Sequence, residues 1–116
     1  MDSILTSIKK MLGIEEEYTH FDVDIMIHVN SALMVLNQLG IGPDGGFDIA
    51  DETSLWSDYI GTDTNLQGIK TYIFLKVRLI FDPPSSAFLV EIFEKHIKEL
   101  EWRLMVQKES ITEPVV

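Results

Sequence analysis

Residues 65–82, NLQGIKTYIFLKVRLIFD, hold the longest apolar stretch in the chain, and their reading decides the fold class. The core of the segment, TYIFLKVRLIF, is rich in β-branched and aromatic residues and would suit a buried strand. Three observations favour a helix. The segment is long, no second strand exists to pair with it, and Leu66, Ile69, Ile73, Val77 and Ile80 recur at helical spacing. Phe74, Leu75 and Leu79 make the remaining faces apolar as well, so a helix from about Asn65 to Phe81 should be central and nearly surrounded. Lys76 and Arg78 interrupt the stretch, which excludes a bilayer-spanning segment.

Working outward, Asp82-Pro83-Pro84 stops this helix, because proline disfavours helix in the preceding residue and lacks a donor. Ser85 or Ser86 opens a last helix running to about Gln107, with Leu89, Phe93, Ile97, Leu100 and Leu104 as its core stripe. Glu91–Lys95, Glu94–Lys98 and Glu99–Arg103 are i,i+4 pairs in the favourable order. On the N-terminal side, Asp63 or Thr64 can cap the central helix, and a short helix spans Ser54–Ile60, capped by Thr53 or Ser54 and ended by Gly61.

Residues 41–52, IGPDGGFDIADE, read as a loop with a turn at Pro43–Gly46. Phe47 and Ile49 alternate with acids, a pattern a short hairpin would also give. Before the loop, His20–Leu39 is the clearest helix: Phe21, Ile25, Val29, Ala32, Leu33, Leu36 and Leu39 follow its period. Thr19 and Asp22 resemble a capping box, and Gly40 suits the left-handed position after the last turn. A first helix runs from about Ser3 to Leu12, capped by Asp2 or Ser3 and stopped by Gly13, with Ile4, Leu5, Ile8, Met11 and Leu12 facing inward. The expected architecture is an all-α bundle of about five helices, with a long acidic loop between the second and third. Residues 1–107 form one domain, and 108–116, with Pro114 preventing continuation, form a flexible tail.

At 116 residues, 46% apolar and 24% charged, with slightly positive mean hydropathy, the chain has the composition of a folded globular domain. The absence of cysteine excludes disulfides, a thiol nucleophile and Cys-based metal sites, and a reducing cytosol fits it best. The opening MDSILTSIKKMLG is too short and interrupted for a signal peptide. The net charge of −10 lies wholly in residues 1–63, with 12 acids and 2 bases, whereas residues 64–116 carry 7 of each. Such a half repels nucleic acid and attracts basic partners. Tight DNA binding needs a Lys/Arg stripe that is missing here.

Catalytic motifs are not found. His20, Asp24 and His28 are spaced to share a helix face, yet no further ligand pair matches them, and ordinary boundary residues explain them better. Asp44, Asp48, Asp51 and Glu52 fail the calcium-loop pattern, with Ile49 where glycine is required and Leu55 where a bidentate Glu should stand. Gly45-Gly46 lacks the Lys and Ser/Thr of a phosphate loop. Neither a metal nor a cofactor is expected. The apolar surplus says more: Trp102, Met105 and Val106 lie off the core stripe of the last helix, and Trp56 and Tyr59 flank the acidic loop. Aromatic residues are favoured interface anchors, so these five are candidate subunit contacts; Trp56 and Tyr59 have the alternative of closing over the core.

The ordered motifs ILTSIKKMLGI, EEEYTHFDVDIMIHVNSALMVLNQLGIGP, NLQGIKTYIFLKVRLIFDPPSSAF and FEKHIKELEWRL resemble the head–tail connector (adaptor) proteins of long-tailed bacteriophages over about residues 3–107. The run LKVRLIFDPPSSAF followed by KELEWRL is the most specific part. This resemblance implies a non-enzymatic, cofactor-free subunit of the virion, made in the bacterial host cytoplasm. Such a subunit forms a homo-oligomeric ring beneath the portal, lets DNA pass without specific binding, and receives the next neck or tail-completion protein. It also implies docking contacts in mobile segments, here Gly42–Glu52 and Gln107–Val116, so Asp44, Phe47, Asp48, Ile49, Asp51 and Glu52 are candidate channel or docking-loop residues. Two other classes compete: an acidic regulatory protein or DNA mimic occupying a basic surface and, far behind it, a metal-dependent hydrolase built on His20, Asp24 and His28.

Overall fold

The computed structural model describes residues 3–60 and 66–112, with side chains as far as residue 106. Among the described residues five helices follow one another: α1 (Ile4–Met11), α2 (Asp22–Gln38), α3 (Trp56–Ile60), α4 (Leu66–Phe81) and α5 (Ala87–Thr112). Among the described residues there is no named strand; one isolated antiparallel bridge joins Ser3 to Leu55, and no hairpin forms in the acidic loop. The proposed caps Asp2, Asp63 and Thr64, the helix stop at Gly61, the start at Asn65 and Pro114 lie outside the described residues.

The segment that decides the fold is a helix, and it is the centre of the molecule. Ile69, Tyr72, Ile73, Leu75 and Val77 of α4 are buried, and α1, α2 and α5 pack around it. Phe81 continues the contact at its end, meeting the Phe21 ring edge-on at 5.2 Å. Ile80 departs from the expected stripe and is 58% exposed, because it falls in the last turn. The Tyr72 ring is fully buried, and its hydroxyl donates to Glu101 Oε2 of α5 at 2.7 Å, tying the two helices together.

Helix α1 begins as expected, with Ser3 Oγ accepting from the Thr6 N–H. It buries Ile4, Leu5 and Ile8, whereas Met11 in the last turn is exposed. Its unexpected feature is Lys9, only 2% exposed. The ammonium lies 2.9 Å from Asp22 Oδ1 and donates to the Glu16 carbonyl at 2.9 Å. A buried cation requires such partners, and this one recruits the residue expected to cap α2. The capping box is therefore not formed: α2 starts at Asp22, Phe21 is its N-cap without a side-chain bond, and Asp22 N–H donates to the Thr19 carbonyl. The Asp22–Lys9 contact is an ion pair without good hydrogen-bond alignment at Oδ1.

At its other end α2 closes with Gly40 at φ +89°, Gly40 N–H donating to Asn37 O and Ile41 N–H to Leu36 O, the paired bonds of a Schellman stop. Helix α3 is shorter than expected. Neither proposed cap serves it: Thr53 bonds to Asp51, the Ser54 carbonyl accepts from Ile4 N–H, and Asp58 Oδ2 accepts from Leu55 N–H. Helix α5 runs five residues past Gln107. Phe93, Ile97, Leu100 and Leu104 face α4, but Leu89 is 44% exposed. A helix with one main neighbour buries a narrow stripe, and Leu89 lies at its edge.

Two outcomes follow. Removing the carboxylate in Asp22→Ala leaves Lys9 buried without its ion partner and should cost about 3 kcal/mol, measured by urea unfolding. Burial, followed by the hydrogen bond to Glu101 and its charge, raises the Tyr72 phenol far above its ordinary value. The unfolded chain ionises there at about pH 10 while the folded one keeps its proton, so this contribution is complete below that pH and lost above it. Between about pH 9 and pH 11 the stability of the wild type should fall more steeply than that of Tyr72→Phe.

Candidate functional site

The acidic loop is pinned to the bundle by its apolar residues. Ile49 is 4% exposed, and the Asn30 side chain of α2 holds its backbone at both ends: Asn30 Oδ1 accepts from Ile49 N–H at 2.7 Å, and Asn30 Nδ2 donates to Ile49 O at 2.9 Å. Phe47 is half-buried, with its ring 5.1 Å from that of Tyr59. Gly42 completes the seat. Its φ is +94°, and a Cβ there would come within 2.5 Å of the Tyr59 ring, so the turn admits only glycine. Asp44, Asp48, Asp51 and Glu52 remain exposed. Thr53 donates to Asp51 from its hydroxyl and its backbone N–H, in that order of effect, and holds this carboxyl below its usual range.

The five candidate contact residues divide. Trp56 and Tyr59 are 3% and 4% exposed and belong to the core of the subunit, so the alternative weighed for them, closing over the core, is where they sit. The indole N–H of Trp56 donates to Ser7 Oγ of α1 at 3.0 Å, and Lys70 Nζ of α4 lies 5.4 Å from its ring centroid. Their size and polarity are absorbed by α1, α4 and the loop, which leaves almost no surface for a neighbour. Trp102 is the opposite case at 60% exposure, with Met105 and Val106 partly covered beside it on α5.

His20 precedes α2 and does not share a helix face with Asp24 and His28; its ring packs edge-on against Phe21 at 4.8 Å. Among the described residues no group of three or more His, Cys, Asp or Glu side chains is placed to hold a metal ion. No described helix is long and apolar enough to cross a membrane.

Sequence reading missed the outer side of α2. Val23, Ile27 and Met34 are 65%, 56% and 58% exposed, opposite the buried Ile25, Val29, Ala32, Leu33 and Leu36. The available signal was that Val23, Ile27 and Met34 fall on one side of the helix, away from the core stripe. Phe88 and Ile92, 69% and 42% exposed at the start of α5, were missed in the same way. For the loop, Asn30→Ala should strand the Ile49 N–H and carbonyl and cost about 1–3 kcal/mol. Amide hydrogen exchange at Ile49 should accelerate with it while exchange in α4 keeps its rank.

The described helices, but for the last two residues of α5, and the pinned loop fall within the stretch that comparison picks out. The family model described as "Phage connector protein" matches residues 4–110, from the first residue of α1 to within two residues of the end of α5. Neither the curated proteins nor the solved structures give a match. With the match covering nearly the whole chain, this all-α subunit belongs to the phage connector protein family.

Proposed function

We propose that the chain is a structural protein of the bacteriophage neck that assembles into a homo-oligomeric ring between portal and tail and extends the channel for DNA. Family membership carries this reading; it makes a structural, virion-borne role the expected one and gives no reason to look for catalysis. Self, the portal protein and a downstream neck or tail-completion protein are the partners, and DNA passes without specific binding. The acids of the loop, Asp44, Asp48, Asp51 and Glu52, point to solvent, while Phe47 and Ile49 anchor them. Lining a channel, they would repel the duplex and keep it from sticking. Gln107–Val116, which begins on the last turns of α5, serves as the docking segment in this reading.

Trp102, with Met105 and Val106, is the proposed contact on α5. Its indole is more than half exposed, so Trp102→Ala should change the stability of the subunit by no more than about 0.5 kcal/mol. As a buried interface anchor it should cost assembly about 2 kcal/mol or more. Negative-stain images and light scattering of the protein with its portal should give rings for the wild type and few or none for the variant. Unchanged assembly would remove Trp102 from the interface. A stoichiometric complex with a basic nuclease or repressor, and none with the portal, would favour the regulatory alternative.

A further inference from the structure

Helix α2 carries exposed apolar residues on the side away from its core stripe, where Asn30 also seats the acidic loop through Ile49. At about 100° per residue, Val23, Ile27 and Met34 fall within about 40° of one another on its outer side. All three are more than half exposed. Acids border this stripe at both ends: Asp24 follows Val23 in the helix, and Asp48 shares a surface depression with Met34. From Met11 to Ile69 the sequence contains no lysine or arginine, and all seven bases beyond Lys10 lie on α4 or α5. Helix α5 has an outer side of its own, where Phe88, Ile92 and Trp102 are exposed among Lys95 and Arg103, which pair within the helix with Glu91 and Glu99.

We infer that the outer stripe of α2 is the second half of the subunit contact, seated in a neighbouring copy against the outer side of α5 that carries Trp102. Charge selects this pairing. Stripe against stripe would bring two base-free acidic surfaces together, whereas α2 against α5 sets acids opposite a side of mixed charge that carries Lys95 and Arg103. Two different patches on one subunit make a heterologous contact, the kind that closes into a ring. The inference rests on the ring reading above and names the surface that reading lacked once Trp56 and Tyr59 proved internal.

The test uses the full chain, with the portal present, in three forms: wild type, Ile27→Gln/Met34→Gln, and Trp102→Ala. Both glutamines replace exposed side chains and suit a helix, so circular dichroism and the thermal midpoint should match the wild type. Sedimentation velocity should show that the double variant needs at least a tenfold higher concentration to assemble. Mixing it with Trp102→Ala is decisive. Each variant keeps one good patch, so the mixture should give heterodimers that neither variant forms alone. Rings from the double variant at wild-type concentration would overturn this contact and leave the ring reading standing, as would a mixture that shows monomers only. A wild-type chain that stays monomeric beside its portal would overturn both.

Discussion

A helix with apolar side chains on nearly every side is stable in water only when other elements cover it, and α4 imposes this requirement on the whole chain. Helices α1, α2 and α5 meet it by packing around Tyr72, Ile73 and Val77, and the hydroxyl of Tyr72 reaches Glu101 to fix where α5 lies. Covering one helix uses one side of each neighbour. A chain of this length has too few elements to cover the other sides as well, so α2 and α5 are left with apolar residues facing water. The spare surface is thus the counterpart of the buried core. In the ring proposed above it is the surface through which neighbouring copies meet.

The helices were legible because their signals are local. Periodic apolar residues, the proline pair after Asp82 and the glycines after α1 and α2 each act within a few residues of the element they bound. What was not legible depends on long-range choices. Asp22 has the right spacing from Thr19 for a cap, but a lysine on another helix competes for its carboxylate, and the buried charge wins over an exposed cap. For Trp56 the sequence left interface and core both open, because its partners, Ser7 and Lys70, lie in α1 and α4. The outer stripe of α2 was overlooked for a different reason. Once one face of a helix has been assigned to the core, other apolar residues read as scattered, although Val23, Ile27 and Met34 share one side of the helix.

The acidic loop shows how a small all-α protein can keep a long connection orderly. Its charges face outward while Phe47, Ile49 and the Gly42–Tyr59 contact hold it down, so the negative surface keeps a defined place on the subunit. That arrangement suits repulsion of a passing polyanion better than a free tail would, since a fixed array of charges does not collapse away from its target.

Asn30 has a wider effect than holding one loop residue. By giving Ile49 both a donor and an acceptor, its amide stands in for the strand that would otherwise be needed at that point. The extended backbone is satisfied without creating a sheet edge, and sheet edges are what recruit foreign strands into open-ended aggregates. In the ring proposed above, this side-chain pairing leaves helix surfaces, with their narrower geometry, to decide which neighbour is accepted.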